Sequence, residues 1–448
     1  MWRSAAVTEE ADGETEPLDS QPVSFFVSNS RRASDESSGV SRSLSSETSR
    51  HRQSRFFLFH TFQLNCQSGG AVVLPPVCST GSRILVASRN DSVYCLYFHI
   101  TSVTTNGVEE IVLAPKVQMV TSLPLHRGWK FGAFVSHILP VHDHEGSSKD
   151  YYALAYLSDK PSSVKPPNIN PEPQTSSGSS YVVTVITTVS QDEELNRLYY
   201  SHIVVPFAPH GCNPLAWWTK PGQQQISLLI PSQKEQMYEA RLSLSGEESM
   251  DQSGLALESL SESDVGLMLK ASCVNALEYV DVEKHSLRIM AVSQGPRSLV
   301  ACFTFSWLTQ EWRRLWSAQH DSMTSKMRLF WTGDQLNLLV IGLLEVAVLY
   351  LDIMSSERPV CVALQGSNQY DVVTCADVGV MDNQPMVLLG TYGKAVLIYI
   401  KDEHRAFRLQ VLETSCPVCF VAFTAMTSSV KAELVVLTQR GLQVYYVT

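Results

Sequence analysis

Residues 365–400, QGSNQYDVVTCADVGVMDNQPMVLLGTYGKAVLIYI, carry the pattern that decides the fold. A polar lead-in, Gly366-Ser367-Asn368-Gln369-Tyr370-Asp371, precedes an apolar run from Val372 to Val380. Turn residues follow at Asp382-Asn383-Gln384-Pro385. Met386–Leu389 and Lys394–Ile400 then read as two strands joined at Gly390-Thr391-Tyr392-Gly393. β-Branched, aromatic and aliphatic residues fill the runs, and Gly, Pro, Asn and Asp break them. Such a unit cannot bury both faces alone, so the fold depends on whether the chain repeats it.

It does. Ile84–Ser88 and Val93–Phe98 flank the turn Arg89-Asn90-Asp91-Ser92. Tyr152–Tyr156 is expected to pair with Tyr181–Ile186, Ile226–Ile230 with Met237–Ala240, Leu287–Val292 with Leu299–Phe303, Leu338–Ile341 with Val346–Tyr350, and Leu434–Leu437 with Leu442–Tyr446. Anchors near Ile84, Tyr152, Leu228, Ile289, Leu338, Val387 and Leu434 lie 68, 76, 61, 49, 49 and 47 residues apart. About 48 residues is one four-stranded propeller blade. The expectation is therefore an all-β, seven-bladed β-propeller over residues 55–448. Pro/Ser-rich and acidic Ser-rich insertions at about 159–180 and 243–265, expected to be disordered, lengthen the early repeats. Phe56–Leu64 is expected to add a strand to the sheet ending at Thr448, because a closed ring leaves no open seam.

Residues 1–54 are acidic and Ser-rich, then Ser/Arg-rich, with no apolar period, and read as a disordered tail. Within it, Arg31-Arg32-Ala33-Ser34 resembles a basophilic kinase site, so Ser34 is a phosphorylation candidate.

The 448 residues are 44% hydrophobic and 17% charged, with a formal net charge of −10. That acidic balance and the lack of a Lys/Arg-rich run argue against nucleic acid and against an anionic membrane surface. No signal peptide, long apolar span or lipidation box is legible, so no direct membrane insertion is expected. The ten Cys lie mostly in apolar runs, as buried reduced thiols of an intracellular protein would.

No residue set reads as an active site. Cys416-Pro417-Val418-Cys419 lacks a second ligand pair for zinc and reads as buried thiols in strand context. His142-Asp143-His144-Glu145 reads as a solvated loop. A calcium loop centred on Asp382-Asn383 would place ligands at Val378, Val380 and Met386, which offer no oxygen. No phosphate-binding or dinucleotide fingerprint and no nucleophile elbow occurs, so no cofactor and no metal are expected. The tryptophans at 217, 218, 307, 312, 316 and 331 read as core. Trp307 to Trp316 is expected to cross a polar turn into the next blade. An enzyme with its site in the central channel is disfavoured because no titratable cluster is apparent on the inner strands.

Several of these motifs resemble the kaptin family. Gly366-Ser367-Asn368-Gln369-Tyr370-Asp371 fits that family's G-S-[DN]-Q-[FY]-D, and Pro385 with Val387-Leu388-Leu389-Gly390-Thr391-Tyr392-Gly393 fits V-L-V-A-T-Y-G. Leu315-Trp316-Ser317, Glu345-Val346-Ala347-Val348-Leu349-Tyr350, Glu433–Leu437 and Gly441–Val444 fit further family segments, over roughly residues 311–448. The resemblance implies a non-enzymatic scaffold, a propeller subunit of the KICSTOR complex. Implied partners are the other KICSTOR subunits and the GATOR-type GTPase-activating complex that restrains mTOR complex 1. Filamentous actin of lamellipodia and stereocilia is the alternative. It further implies a cytoplasmic protein held at the lysosomal surface through its complex. Family-motif candidates for interaction are Gly366 to Asp371 and Thr391, Tyr392 and Gly393.

Overall fold

In the computed structural model the described residues are 56–64, 68–74, 81–88, 92–105 and 108–122, strand segments between 129 and 259, and most of 274–447. The tail of residues 1–54 with Ser34, the loop 159–180, Asp382-Asn383 and Asp143-His144-Glu145 lie outside them.

The chain is all-β among these residues. After β1 (Phe56–Gln63) comes a sheet of β2 (Ser68–Leu74), β3 (Arg83–Ser88), β4 (Ser92–Thr105) and β5 (Val108–Ser122). The next sheet holds β6 (Trp129–Lys130), β7 (Val135–His137), β8 (Val141–His142), β9 (Ser148–Ser158), β10 (Tyr181–Val189) and β11 (Leu198–Val205). The third has β12 (Ala216–Thr219), β13 (Gln225–Pro231), β14 (Met237–Ser243) and β15 (Ala256–Ser259). The fourth has β16 (Val274–Val282), β17 (Leu287–Gln294), β18 (Leu299–Ser306) and β19 (Glu311–Gln319). The fifth has β20 (Thr324–Thr332), β21 (Gln335–Gly342), β22 (Val348–Leu351) and β23 (Val360–Ala363). The sixth has β24 (Val373–Met381), β25 (Gln384–Thr391), β26 (Ala395–Lys401) and β27 (Phe407–Glu413). The last combines β28 (Val418–Thr424), β29 (Glu433–Thr438) and β30 (Gly441–Val447) with β1 from the other end of the chain.

That last sheet is the expected seam. β1 runs antiparallel to β30, with Phe56 opposite Val447 and Gln63 opposite Gly441. The pairings expected for Tyr152–Tyr156 with Tyr181–Ile186, and for Ile226–Ile230 with Met237–Ala240, are present.

The core lies between neighbouring sheets, because middle strands such as β17, β21, β26 and β29 are buried on both faces. Ile289, Ala291, Cys302 and Trp316 pack against Met327, Leu338, Val340 and Tyr350 of the next sheet. Leu339, Leu349 and Leu364 meet Val387, Leu389 and Leu397. Val396 and Ile398 meet Val421, Leu434 and Val436. Phe62, Leu437 and Val444 meet Ile84, Leu96 and Phe98 across the seam. Each fully buried aliphatic side chain contributes about 1.5–3 kcal/mol, so the sheets hold one another as much as their own ladders hold them. Contacts between consecutive sheets run through their first strands, β16 to β20, β20 to β24, β24 to β28 and β28 to β2, which makes these the inner strands.

Four details differ from the sequence reading. The turn between β21 and β22 extends through Ala347, so Val346 and Ala347 sit in the turn and the strand starts at Val348. Ala256–Ser259, inside the segment 243–265, is a strand on the edge of β14. Trp307 to Trp316 does not enter a new sheet, for β19 pairs with β18. Trp307 and Trp312 stay in their own sheet against Phe305, at 4.7 and 4.8 Å, and the buried Arg288 guanidinium stacks 4.9 Å from Trp307. Trp316 reaches the next sheet, where it meets Tyr350 at 4.8 Å, whereas Trp331, expected in the core, is 38% exposed because it stands at the end of β20 beside the turn into β21. Finally, β4 and β5 pair over their whole lengths whereas β3 supports only Val93–Leu96 of β4, so the hairpin's distal half extends past its sheet.

Candidate functional site

Successive strands alternate direction, so the second-to-third-strand turns and the connectors between sheets emerge at the same end of the barrel of sheets. Backbone bonds tie each connector to a turn. Leu343 N donates to Met323 O (3.0 Å), and Tyr392 N donates to Val372 O (2.9 Å), the same tie one sheet later. Leu364 N donates to Ala347 O (2.8 Å), which joins the connector after β23 to the turn between β21 and β22. The two ties are thereby continuous.

This continuity unites the family-motif segments. The connector residues Ser367–Gln369 form a single 3-10 turn, entered by Gly366 at φ 85°. A side chain there would be strained, and an added Cβ would lie 3.1 Å from Leu409. Ser367 is buried and its Oγ accepts from Ala347 N at 2.7 Å. The Tyr399 hydroxyl donates to the Leu364 and Gln365 carbonyls at 3.3 and 3.1 Å. Tyr370 packs partly buried against the sheet core. Asp371, at φ 68°, accepts from Val372 N through Oδ1 at 2.7 Å. Thr391 is fully buried and its Oγ1 bridges the tight turn, donating to Ala395 O (2.9 Å) and accepting from Ala395 N (3.2 Å). At Gly393 an added Cβ would fall 2.4 Å from Tyr370 O.

The nine motif residues therefore divide by role. Gly366, Ser367, Thr391 and Gly393 build the connection, and Tyr370 packs partly buried on the sheet core. Asn368, Gln369, Asp371 and Tyr392 point outward, with Tyr392 60% exposed. Around them stand Leu344 at 81% and Val372 and Met323, each at 37%. Apolar side chains this exposed, gathered on turns of two neighbouring sheets, suit contact with another macromolecule.

Beneath this face the other motif segments meet. Tyr350 OH lies 3.0 Å from His320 Nε2, and His320 Nδ1 lies 3.6 Å from the Glu345 carboxylate. Burial lowers the His320 pKa, with Glu345 opposing, and burial raises that of Tyr350. His320 and Tyr350 are buried, so the arrangement is an inter-sheet brace rather than an open reaction site.

A second cluster escaped the sequence reading. Glu278 on β16, Arg328 on β20 and Asp377 on β24 meet across three inner strands. Arg328 Nη1 is 3.7 Å from Glu278 Oε1, and Nη2 is 3.7 Å from Asp377 Oδ1. Asp377 Oδ2 also accepts from Phe423 N on β28 at 3.1 Å. Burial raises both carboxyl pKa values and Arg328 lowers them. The expectation that inner strands carry no titratable cluster is thus wrong. The charges are paired around one guanidinium, and no group of three metal-ligating side chains occurs among the described residues. A signal was available: charged residues at 278, 328 and 377, each within a largely apolar strand, are spaced 50 and 49 residues, the blade period.

Cys416 and Cys419 are partly exposed rather than buried, because they sit on a connector and its strand entry. Among the described residues no helix is long and apolar enough to cross a membrane.

Comparison with known proteins places these observations. Residues 258–446 match the family model described as KICSTOR complex protein kaptin. KICSTOR complex protein kaptin of Mus musculus is 29% identical over 154 residues, 30% of this chain and 36% of the mouse protein. The match thus spans about a third of the length of that curated relative. Among solved structures, BBS1N from a complex with ARL6DN aligns at a TM-score of 0.47 with 8% identity, over 87% of this chain and 95% of that one. The WD40 repeats of RRP9 align at 0.44 with 12% identity, over 89% and 98%.

Proposed function

We propose, from the premise that residues 258–446 carry the kaptin-family sequence, that this chain is a non-enzymatic scaffold subunit of a KICSTOR-like complex. In this reading its seven sheets close as seven blades. It recruits the GATOR-type Rag GTPase-activating complex to the lysosomal surface and restrains mTOR complex 1 when amino acids or glucose are scarce.

The observation that carries the reading is convergence. Family-motif segments 345–350, 366–371 and 391–393, on three separate turns, meet through backbone and side-chain hydrogen bonds on one end of adjoining sheets. Of the nine residues 366–371 and 391–393, Gly366, Ser367, Thr391 and Gly393 maintain the turns, Tyr370 packs on the sheet core, and the other four face solvent. A scaffold needs a surface that presents outward side chains to a partner. The inner charges pair with one another across the sheets, which supports a structural role for them.

Affinity purification of the full chain from starved and fed cells tests this. Recovery of KICSTOR and GATOR-type subunits is the expected result. Their absence under both conditions rejects it.

A further inference from the structure

We propose that residues 25–34 of this same chain dock on the face formed by Met323, Leu344, Val372 and Tyr392, and that a phosphate on Ser34 releases them. The proposal rests on reading that face as a partner surface, and adds how access to it is regulated.

The face combines two properties. Its four apolar side chains are exposed on turns joined by hydrogen bonds. The same turns carry acids: Asp321 and Asp371 are exposed, and Glu345, partly buried beside His320, follows Leu344. Lys394 is an exposed cation among them. A fitting occupant presents aromatic or aliphatic side chains next to cations.

Residues 1–54 contain three aromatics, Trp2, Phe25 and Phe26. Phe25-Phe26-Val27 is followed at once by Ser28-Asn29-Ser30-Arg31-Arg32. This is the single place in that stretch where adjacent aromatics precede paired arginines. Aromatics and arginine are the residue types that dominate protein contact energies. The chain length allows the docking. Arg32 is 24 residues before Phe56, a reach of up to about 80 Å when extended. Phe56 begins β1 in the sheet that packs directly on the sheet bearing Tyr392.

Ser34 lies two residues past Arg32. A phosphate there adds about −1.5 to −2 charge, neutralises the adjacent arginines and meets the acids of the face with like charge. Loss of two solvent-exposed charge pairs at about 0.5 kcal/mol each weakens docking about fivefold. Phosphorylation would thus bare the face for a partner.

The test uses the full chain alone, carrying Phe26→p-benzoylphenylalanine, mixed from heavy- and light-isotope preparations and irradiated. Crosslinks within one chain to the peptides bearing Leu344 or Tyr392 are expected. Their yield falls about fivefold after basophilic-kinase phosphorylation of Ser34, and likewise in Arg31→Glu/Arg32→Glu. Leu344→Asp, an exposed position that leaves the fold intact by circular dichroism, also lowers it. Crosslinks between chains, crosslinks to other sheets only, no crosslink, or a yield indifferent to phosphate would each overturn the proposal. No partner is present in the assay, so its failure leaves complex membership standing, and failure to recover KICSTOR subunits leaves the crosslink result standing.

Discussion

Replacing Arg328 by methionine probes how the inner strands are held. The guanidinium links β16, β20 and β24 through two contacts of 3.7 Å, and Asp377 continues the link to β28. Removing a fully buried partner costs about 3–5 kcal/mol, whereas an exposed ion pair contributes about 0.2–1 kcal/mol. Protein surrounds Arg328, but its side chain is 51% exposed to the space between the inner strands, while Glu278 and Asp377 are 23% and 19% exposed. Solvent therefore screens the cation more than the two acids, and the expected loss is about 1–2 kcal/mol near pH 7. Its pH dependence is the sharper signature. Burial raises both carboxyl pKa values, and Arg328 opposes this. A carboxyl with a raised folded pKa takes up a proton on folding. Its stabilisation is complete below the unfolded pKa and is lost as pH rises through the folded one. Without Arg328 that window widens toward neutrality, so the deficit should be largest near pH 7 and shrink by about pH 5. Urea denaturation of wild type and Arg328→Met at both pH values measures it. Adding Glu278→Gln and Asp377→Asn should recover most of the loss. A deficit equal at both pH values, or none, refutes the reasoning.

Gly393→Ala should destabilise by about 1–3 kcal/mol, since its Cβ meets Tyr370 O at 2.4 Å, and a lowered thermal midpoint would check it. Burial lowers the His320 pKa below its ordinary 6.5, so the folded chain binds fewer protons there than the unfolded chain. The stability due to His320 is therefore present above about pH 6.5 and lost as pH falls through the folded value, and His320→Gln should flatten that slope in melting curves. Glu433 is buried and accepts from Met426 N at 2.8 Å and from the Thr427 hydroxyl. Glu433→Ala strands those donors and should cost about 1–3 kcal/mol by urea denaturation.

Much of the fold was legible because β-strands announce themselves by local pattern. Leu434–Leu437, Met386–Leu389 and Leu338–Ile341 are apolar on both faces and bounded by turn residues, so period and breaks locate them. The seam was legible for a different reason: a ring must close, and Phe56–Leu64 was the first apolar run available. What escaped notice depended on long-range geometry. Trp307 to Trp316 contains a turn that either crosses sheets or folds back, and residue types alone do not distinguish the two. The Glu278–Arg328–Asp377 cluster was hidden because no one strand shows that its charge has partners on the neighbouring strands. It makes sense only when three repeats are superposed. For Gly366 to Asp371 the composition marked a polar loop, but it could not separate Ser367, buried under Ala347 N, from Asn368 and Gln369 in solvent.

A partner complex held on the face bearing Leu344 and Tyr392 depends on those two side chains. Quantitative affinity purification of the full chain beside a Leu344→Asp/Tyr392→Ser variant tests it most directly. Both positions are exposed, at 81% and 60%, so folding should be unchanged. The account predicts that wild type recovers KICSTOR and GATOR-type subunits and that the variant, equally abundant and equally stable, loses most of that recovery. Equal recovery by both proteins, or recovery of none of these subunits by wild type, would contradict it.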